Sequence, residues 1–578
     1  MLSACTDAEE TLVDETSSSG VIDLTEGGSV VPGIIRVKLA SEPDEDICVS
    51  SEDGTVVVTG IQTLDAAGTT LKITRMERVF PDAGIYEERT RREGLHLWYN
   101  IWYEEAETTP SRATSQISTL DGIAYAEAVP AISSREVSVK ANAANASTRT
   151  WYYDDPYCEK QWYLINDGTE SWQTSGADVG LTDEVWSQYS GSPDIIIAVV
   201  DGGIHYEHPD LAENIYTAED GTHGWNFIQG TSDITYYVHA THVAGLMAAV
   251  NGNGVGISSI AGGNGTEGSG VKLMICEIID TRYASAAVDY AAAIKYGADN
   301  GALISQNSWG YSSAQETAQT EKDAIDYFVK YAGCDSDGNQ LEDSPMKGGV
   351  VLFASGNANT DNVIYAAPAD YEGVVAVAAL DANNVKASYS NYGSYMDISA
   401  PGGSTSGDEE AQILSTYSSN SYAYMAGTSM ACPLVSAACA LIIQKYGGQG
   451  FTQQQLLDIL YSSAVDIDEQ NPDYVGLLGA GALDIDAALS VDLDHLDSFI
   501  LYTNQITDGI LMFKVSSALA GEGQLQIYSS TGYKVYDATV TVGIYTWFSL
   551  DVSALSAGYY TLKYTSGGNT AKENFIKY

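Results

Sequence analysis

Three segments of this chain carry side chains that can act together on a carbonyl. Asp201 lies in Val200-Asp201-Gly202-Gly203, His239 in His239-Ala240-Thr241-His242, and Ser429 in Gly427-Thr428-Ser429-Met430-Ala431. A hydroxyl is a weak nucleophile until a neighbouring base takes its proton, and histidine titrates close enough to neutrality to do so. A carboxylate behind the ring fixes its tautomer and stabilises the imidazolium. The three occur in the order Asp…His…Ser, one of three orders in which unrelated folds assemble such a triad. The chemistry they offer is acyl transfer through a serine ester. Asn357, in Ala354-Ser355-Gly356-Asn357, adds a side-chain amide that can donate to an oxyanion beside the backbone N–H of Ser429. The nucleophile is not in a Gly-x-Ser-x-Gly setting, which argues against a generic lipase or esterase.

Such groups need rigid supports. Asp201 ends the apolar run Asp194–Val200, and Gly348–Ala354 and Gly373–Leu380 are further continuous apolar runs. Runs of this kind are typical of parallel strands covered on both faces. His239 stands at a helix opening, and Ser429 opens a second helix that runs through Ser436 to about Tyr446. Pro433 is expected in the first turn of that helix, where proline is tolerated, and the positive helix end favours an oxyanion. Buried strands alternate with amphipathic helices over 151–490, which reads as an α/β domain with a doubly wound, mostly parallel sheet. Ligands gather at the carboxyl ends of such strands.

The flanks differ in character. Residues 1–30 are small, polar and acidic, as a tether would be. Residues 31–132 read as an α+β unit, with strands at Ile34–Leu39, Leu95–Trp102 and Ile123–Val129 and a helix over 111–120. Residues 133–150 lack aromatics and carry three basic residues, the pattern of an exposed, cleavable linker. Residues 492–578 hold short alternating segments, at Ile510–Val515, Gln524–Tyr528, Tyr533–Val540 and Tyr559–Tyr564, which predict a small β-sandwich.

Composition limits the partners. The 578 residues allow about three or four domains. A net charge of −51, from 77 acidic and 26 basic residues, excludes a nucleic-acid partner, since phosphate contacts need clustered Lys and Arg. No apolar run is read as reaching the roughly 18–20 residues of a membrane span. Seven cysteines show no CxxC spacing, and Cys432 and Cys439 fall too far apart on one helix to be bridged, so buried free thiols are expected. His242 is expected to be a structural helix residue, and His205 and His208 to border a loop. Asp335-Ser336-Asp337-Gly338-Asn339 up to Asp343 mimics part of a calcium loop but lacks the glutamate at the twelfth position, so it is read as a loop tip.

The 151–490 region resembles a subtilisin-type (subtilase) serine peptidase. The resemblance rests on Asp201-Gly-Gly-Ile with His208-Pro-Asp-Leu211, on His239-Ala-Thr-His-Val-Ala-Gly245, and on Ser305-Gln-Asn-Ser-Trp-Gly310. It continues in Ala354-Ser-Gly-Asn357, Tyr389-Ser-Asn-Tyr-Gly393, Ala400-Pro-Gly402 and Gly427-Thr-Ser-Met-Ala-Cys-Pro433. It implies Asp201, His239 and Ser429 as the triad and Asn357 as oxyanion donor. It implies Ser308, Trp309 and Gly310 as the strand that pairs with a polypeptide substrate, and Ala354, Ser355 and Gly356 as flanks of the S1 pocket. The Trp309 side chain either lines that pocket or packs. Small Ala366 and Ala367 leave room for a large P1 side chain, and Pro368 resembles the family's cis-proline. No cofactor is required. Structural calcium is compatible because subtilases often bind it, but no metal ligands are assigned. Three positions depart from the family pattern. Gly202 removes a hydroxyl beside the acid, Ala240 adds a methyl beside the base, and Leu434 replaces a histidine; the first two are expected to weaken or specialise catalysis.

The 31–132 unit resembles a subtilase prodomain, notably in Arg91-Arg-Glu-Gly-Leu-His-Leu-Trp98, which implies an intramolecular inhibitor whose C-terminal end enters the cleft. The stretch Ala557-Gly-Tyr-Tyr-Thr-Leu562 with Glu573–Tyr578 resembles the sorting domain of type IX-secreted bacterial proteins. Leu2-Ser3-Ala4-Cys5 resembles a bacterial lipobox, making Cys5 a candidate for lipidation and a membrane anchor. The expectation is a secreted or surface-anchored serine endopeptidase made as a zymogen. Its rivals are a subtilase-fold transpeptidase or ligase and a catalytically weakened binding or adhesion protein.

Overall fold

The computed structural model describes residues 21–23, 29–43, 59–104, 108–141, 152–280, 285–287, 289–493, 498–507 and 509–578. Cys5, most of the 1–30 tether, Cys48 and linker residues 142–150 lie outside the described residues.

The central sheet has nine strands. Its parallel part runs in the order Gly224–Asn226, Lys272–Asp280, Ile196–Gly202, Ala302–Asn307, Val350–Ala354, Val375–Leu380, Ile398–Pro401. Ser285–Ala287 and Val21–Asp23 add antiparallel to the Lys272–Asp280 side. Side chains alternate between faces along a strand. In Ile196–Gly202, Ile197 and Val199 pack towards the helices Val238–Ala248 and Thr428–Tyr446, while Ala198 and Val200 pack towards Tyr290–Asp299 and Gln319–Tyr331. Both faces are thus covered, which is why the strands read as unbroken apolar runs. Chain order reverses about Ile196–Gly202, with Lys272–Asp280 on one side and Ala302–Asn307 on the other. The carboxyl end of that strand, where Asp201 lies, faces a crevice of the kind that collects ligands.

The helix Thr428–Tyr446 corrects two expectations. It is 19 residues long and apolar enough to cross a bilayer by length and composition, yet it is almost wholly buried in the core of the α/β domain. Pro433 is the sixth helical residue and so lies beyond the first turn. Proline cannot donate to the carbonyl four residues back, which is that of Ser429. The Ser308 hydroxyl donates there instead, at 2.9 Å.

The N-terminal unit is a four-stranded antiparallel sheet in the order Ile73–Arg78, Trp98–Tyr103, Val30–Leu39, Ile123–Pro130. Its helices Gln62–Leu71 and Pro110–Ile117 share a core with Ile35, Val37 and Ile101. Ile34, Trp98 and Val129 pack instead into the α/β domain. The strand expected over Leu95–Trp102 begins only at Trp98. Gly94, at φ 70°, turns the chain into a single 3-10 turn over Leu95–Leu97. The C-terminal unit stacks a five-stranded sheet on a three-stranded one around Leu511, Phe513, Leu525, Ile527, Leu562 and Phe575. Cys158, Cys276, Cys334, Cys432 and Cys439 are free and buried.

Candidate active site

Asp201 and His239 meet because one is the penultimate residue of a strand and the other is the second residue of a helix that packs on that strand. His239 Nδ1 lies 2.9 Å from Asp201 Oδ1, and both side chains are fully buried. The Gly202 N–H donates to the same oxygen at 2.6 Å. Burial opposes a charged ring, but the Asp201 and Glu136 carboxylates outweigh it and push His239 up to about 9. The second ring nitrogen, Nε2, makes no hydrogen bond among the described residues and faces Glu136 Oε2 at 3.4 Å.

The two departures beside Asp201 and His239 have physical accounts. A Cβ at Gly202 would lie 2.4 Å from the Tyr237 ring, which stacks on His239 at 5.7 Å between centroids. Glycine at 202 therefore makes room for an aromatic wall on the His239 ring, and its own N–H bonds the carboxylate. The Ala240 methyl packs into the apolar core, as does Leu434.

Ser429 is the second residue of its helix, and its hydroxyl donates to the Ser308 carbonyl at 3.1 Å. The chain's own segment 132–141 fills the space in front of it. Ile132–Ser134 pairs antiparallel with Trp309–Tyr311, with Ser133 opposite Gly310. The Arg135 N–H donates to the Ser308 carbonyl at 3.0 Å, and the Arg135 carbonyl accepts from the Ser429 N–H at 3.2 Å and from Asn357 Nδ2 at 2.5 Å. Beyond it, the Val137 N–H donates to Ala426 at 2.8 Å, and Ser138–Ala141 pairs antiparallel with Tyr422–Ala426. Two donors thus converge on one carbonyl oxygen beside a serine hydroxyl. Asn357 is aimed by Thr428, whose backbone N–H and hydroxyl both donate to its Oδ1 at 3.0 Å. Thr428 was not singled out from sequence, although its place beside Ser429 is a signal.

The Arg135 side chain enters a buried pocket. Nη2 donates to the Ala367 carbonyl at 3.0 Å and Nη1 to that of Tyr365 at 3.3 Å. Burial pulls the guanidinium down to about 10. A Cβ at Gly310 would lie 1.8 Å from Nη2, and one at Gly356 would lie 2.5 Å from Nη1. The peptide bond Ala367-Pro368 is cis. Of the residues expected at this pocket, Gly310 and Gly356 touch the arginine. Ala354 ends its strand, while the N–H and C=O of Ser355 are taken by Val377 and Asn391. Trp309 contributes only its backbone to the pairing. Its fully buried ring packs between Tyr290 and Phe353 at 5.2 Å, because alternation along the strand points it into the core.

His242 and His208 are held by backbone carbonyls. His242 Nε2 bonds the carbonyls of Ile413 and Ala423, and burial holds it down at about 3. His208 Nε2 meets the Ser421 carbonyl. In the 335–343 loop, the Asp335 carboxylate accepts the N–H groups of Asp337 and Asn339, which caps a turn. Among the described residues no three His, Cys, Asp or Glu side chains converge as metal ligands.

Comparison with known proteins identifies the regions of the chain. A family model described as "Subtilase family" matches residues 192–481, one described as "N-terminal of Subtilase family" matches 35–168, and "Secretion system C-terminal sorting domain" matches 507–578. The chain is similar to a thermophilic serine proteinase of Bacillus sp. (strain AK1), 32% identical over 53% of this chain and 66% of the relative. It is similar to the halolysin-like extracellular serine protease Nep of Natrialba magadii, 30% identical over 54% of this chain and 50% of the relative. The chain thus spans less than two thirds of these two relatives. It is also similar to thermitase of Thermoactinomyces vulgaris, 31% identical over 48% of this chain and 85% of thermitase. The crystal structure of fervidolysin from Fervidobacterium pennivorans shares the fold, with a TM-score of 0.53 at 18% identity over 95% of this chain and 91% of that one. With the subtilase model spanning residues 192–481 and thermitase matched over most of its length, the chain belongs to the subtilase family.

Proposed function

We propose that this chain is a serine endopeptidase made as a zymogen, with Asp201, His239 and Ser429 as its triad and Asn357 as an oxyanion donor. The observation that carries this reading is the Arg135 carbonyl, held by the Ser429 N–H and Asn357 Nδ2 while the segment around it pairs with both walls of the cleft. A peptide bound this way presents its carbonyl carbon to Ser429. The hydroxyl, rotated from the Ser308 carbonyl towards His239 Nε2, gives up its proton to the ring as its oxygen bonds the carbon. Negative charge collects on the carbonyl oxygen, where the two donors already point. The ring then protonates the leaving nitrogen, the C–N bond breaks, and water hydrolyses the acyl-enzyme. Asp201 holds the tautomer that leaves Nε2 free to accept.

Residues 31–132 act as the intramolecular inhibitor, and the first cut falls within 133–150. The buried ion pair Arg36–Glu321, at 2.7 Å, and the bond from Arg89 to Tyr327, at 2.6 Å, support a docked prodomain. The sorting-domain match supports a secreted or cell-surface protein that acts on polypeptides outside the cytoplasm. A lipid on Cys5 would tether it, and the Leu2–Cys5 sequence alone supports that anchor.

The test is the intact mass of the full chain over time, beside its Ser429→Ala variant. Cleavage within 133–150 in the wild type alone, together with fluorophosphonate labelling of Ser429, is the expected result. A wild-type chain that is neither cut nor labelled would mean a binding protein.

A further inference from the structure

We infer that the bond this enzyme cuts in itself is Arg135–Glu136, and that its S1 pocket selects arginine in other substrates without using a carboxylate. The inference rests on the peptidase reading above and goes further by fixing the bond and the P1 residue. In segment 132–141, it is the Arg135 carbonyl that both the Ser429 N–H and Asn357 Nδ2 reach, so the register places the Arg135–Glu136 bond in front of Ser429.

The pocket explains the choice of side chain. Its walls at Gly310 and Gly356 carry no Cβ, and one at either place would overlap the guanidinium. At its end the carbonyls of Tyr365 and Ala367 each use one lone pair within the fold, for Asn391 Nδ2 at 3.5 Å and the Tyr311 N–H at 3.1 Å. Their remaining lone pairs receive Nη1 and Nη2. A planar, delocalised and weakly hydrated cation suits two spaced carbonyl dipoles in a dry pocket. The ammonium of lysine is compact and more strongly hydrated, so it loses more on entering. No carboxylate pairs with Arg135 among the described residues, and the selection therefore comes from depth and dipoles. In the reaction, Ser429 Oγ bonds the Arg135 carbonyl carbon, the nitrogen of Glu136 leaves as an amine with the proton carried by His239, and water releases the Arg135 carboxylate.

The experiment has two arms on the intact chain. Intact mass and N-terminal sequencing should show a new terminus at Glu136 in the wild type and none in Ser429→Ala, with Arg135→Ala cut more slowly by roughly tenfold or more. The processed enzyme is then given internally quenched peptides that differ only at P1. Arginine should exceed lysine, phenylalanine, leucine and alanine by roughly tenfold or more, and Gly310→Ala should collapse the arginine-to-alanine ratio. A cut at another bond overturns the inference, as does preference for phenylalanine or leucine; in both cases the peptidase reading stands. An uncut wild type whose Ser429 still reacts with fluorophosphonate likewise overturns the bond assignment. Loss of both cutting and labelling removes the peptidase reading itself.

Discussion

In the proposed reaction His239 must be neutral to take the proton of Ser429, and the segment in the cleft works against that. Glu136 places Oε2 3.4 Å from Nε2, and Asp201 faces the other nitrogen, so the ring is held up at about 9 against its own burial. Tyr237 stacks on the ring and the Ser429 hydroxyl lies on the Ser308 carbonyl, so the two carboxylates are the charges that raise it. Below that pH the base is protonated. Self-cleavage should therefore speed up as pH rises towards about 9. Glu136→Gln removes one carboxylate, so the midpoint of the pH–rate profile should move to lower pH. Superimposable midpoints would count against the account. Asn357→Ala should lower turnover by about 10²–10³, a figure that belongs to subtilisin and is carried over by analogy, measured as kcat on peptide substrate. Residue types with a local signature, such as the serine at a helix start or the aspartate ending an apolar strand, were legible in the sequence. Arg135 and Glu136 were visible only as charges in a linker, because their placement depends on pairing with residues near 309 and 424, far along the chain.

At the scale of elements, the N-terminal sheet is joined to the α/β domain through the helix Gln319–Tyr331. Glu127 accepts the N–H groups of Gln319 and Thr320 at 2.9 and 3.2 Å, capping that helix from another unit of the chain. Burial and the neighbouring Glu321 push Glu127 up to about 7, with Arg36 pulling the other way. Arg36→Met would leave two buried carboxylates uncompensated, a loss on the order of 3–5 kcal/mol. In a Ser429→Ala background this should appear as a lower Tm and faster limited proteolysis of residues 31–132; unchanged values would mean that the apolar contacts suffice. Strands with apolar runs were legible from period and length. The side-chain parity of Trp309 was not, since a three-residue strand offers too little pattern to say which face is core. Leu95–Leu97 alternates like a strand, but the left-handed Gly94 before it breaks the run, and a glycine's φ is not written in the hydrophobic pattern.

For the molecule as a whole, composition and periodicity indicated an acidic α/β protein with an α+β flank before it and a β flank after it. What they could not indicate was that segment 132–141 bridges both walls of one cleft, because a polar linker carries no apolar signal for where it docks. If the chain is cut at Arg135–Glu136 as proposed, that bridging has a consequence. The unprimed half stays paired with Trp309–Tyr311, and the primed half stays paired with Tyr422–Ala426. The new amine of Glu136 remains beside the carbonyl it has left, and amines held in place react as if at concentrations far above molar. Cleavage in situ is then reversible, and the serine ester can be resealed as readily as hydrolysed. On the proposed reading, maturation becomes irreversible only when Ser138–Ala141 peels away from its wall, so the clock of activation would be set by the release of a four-residue strand rather than by the chemistry at Ser429.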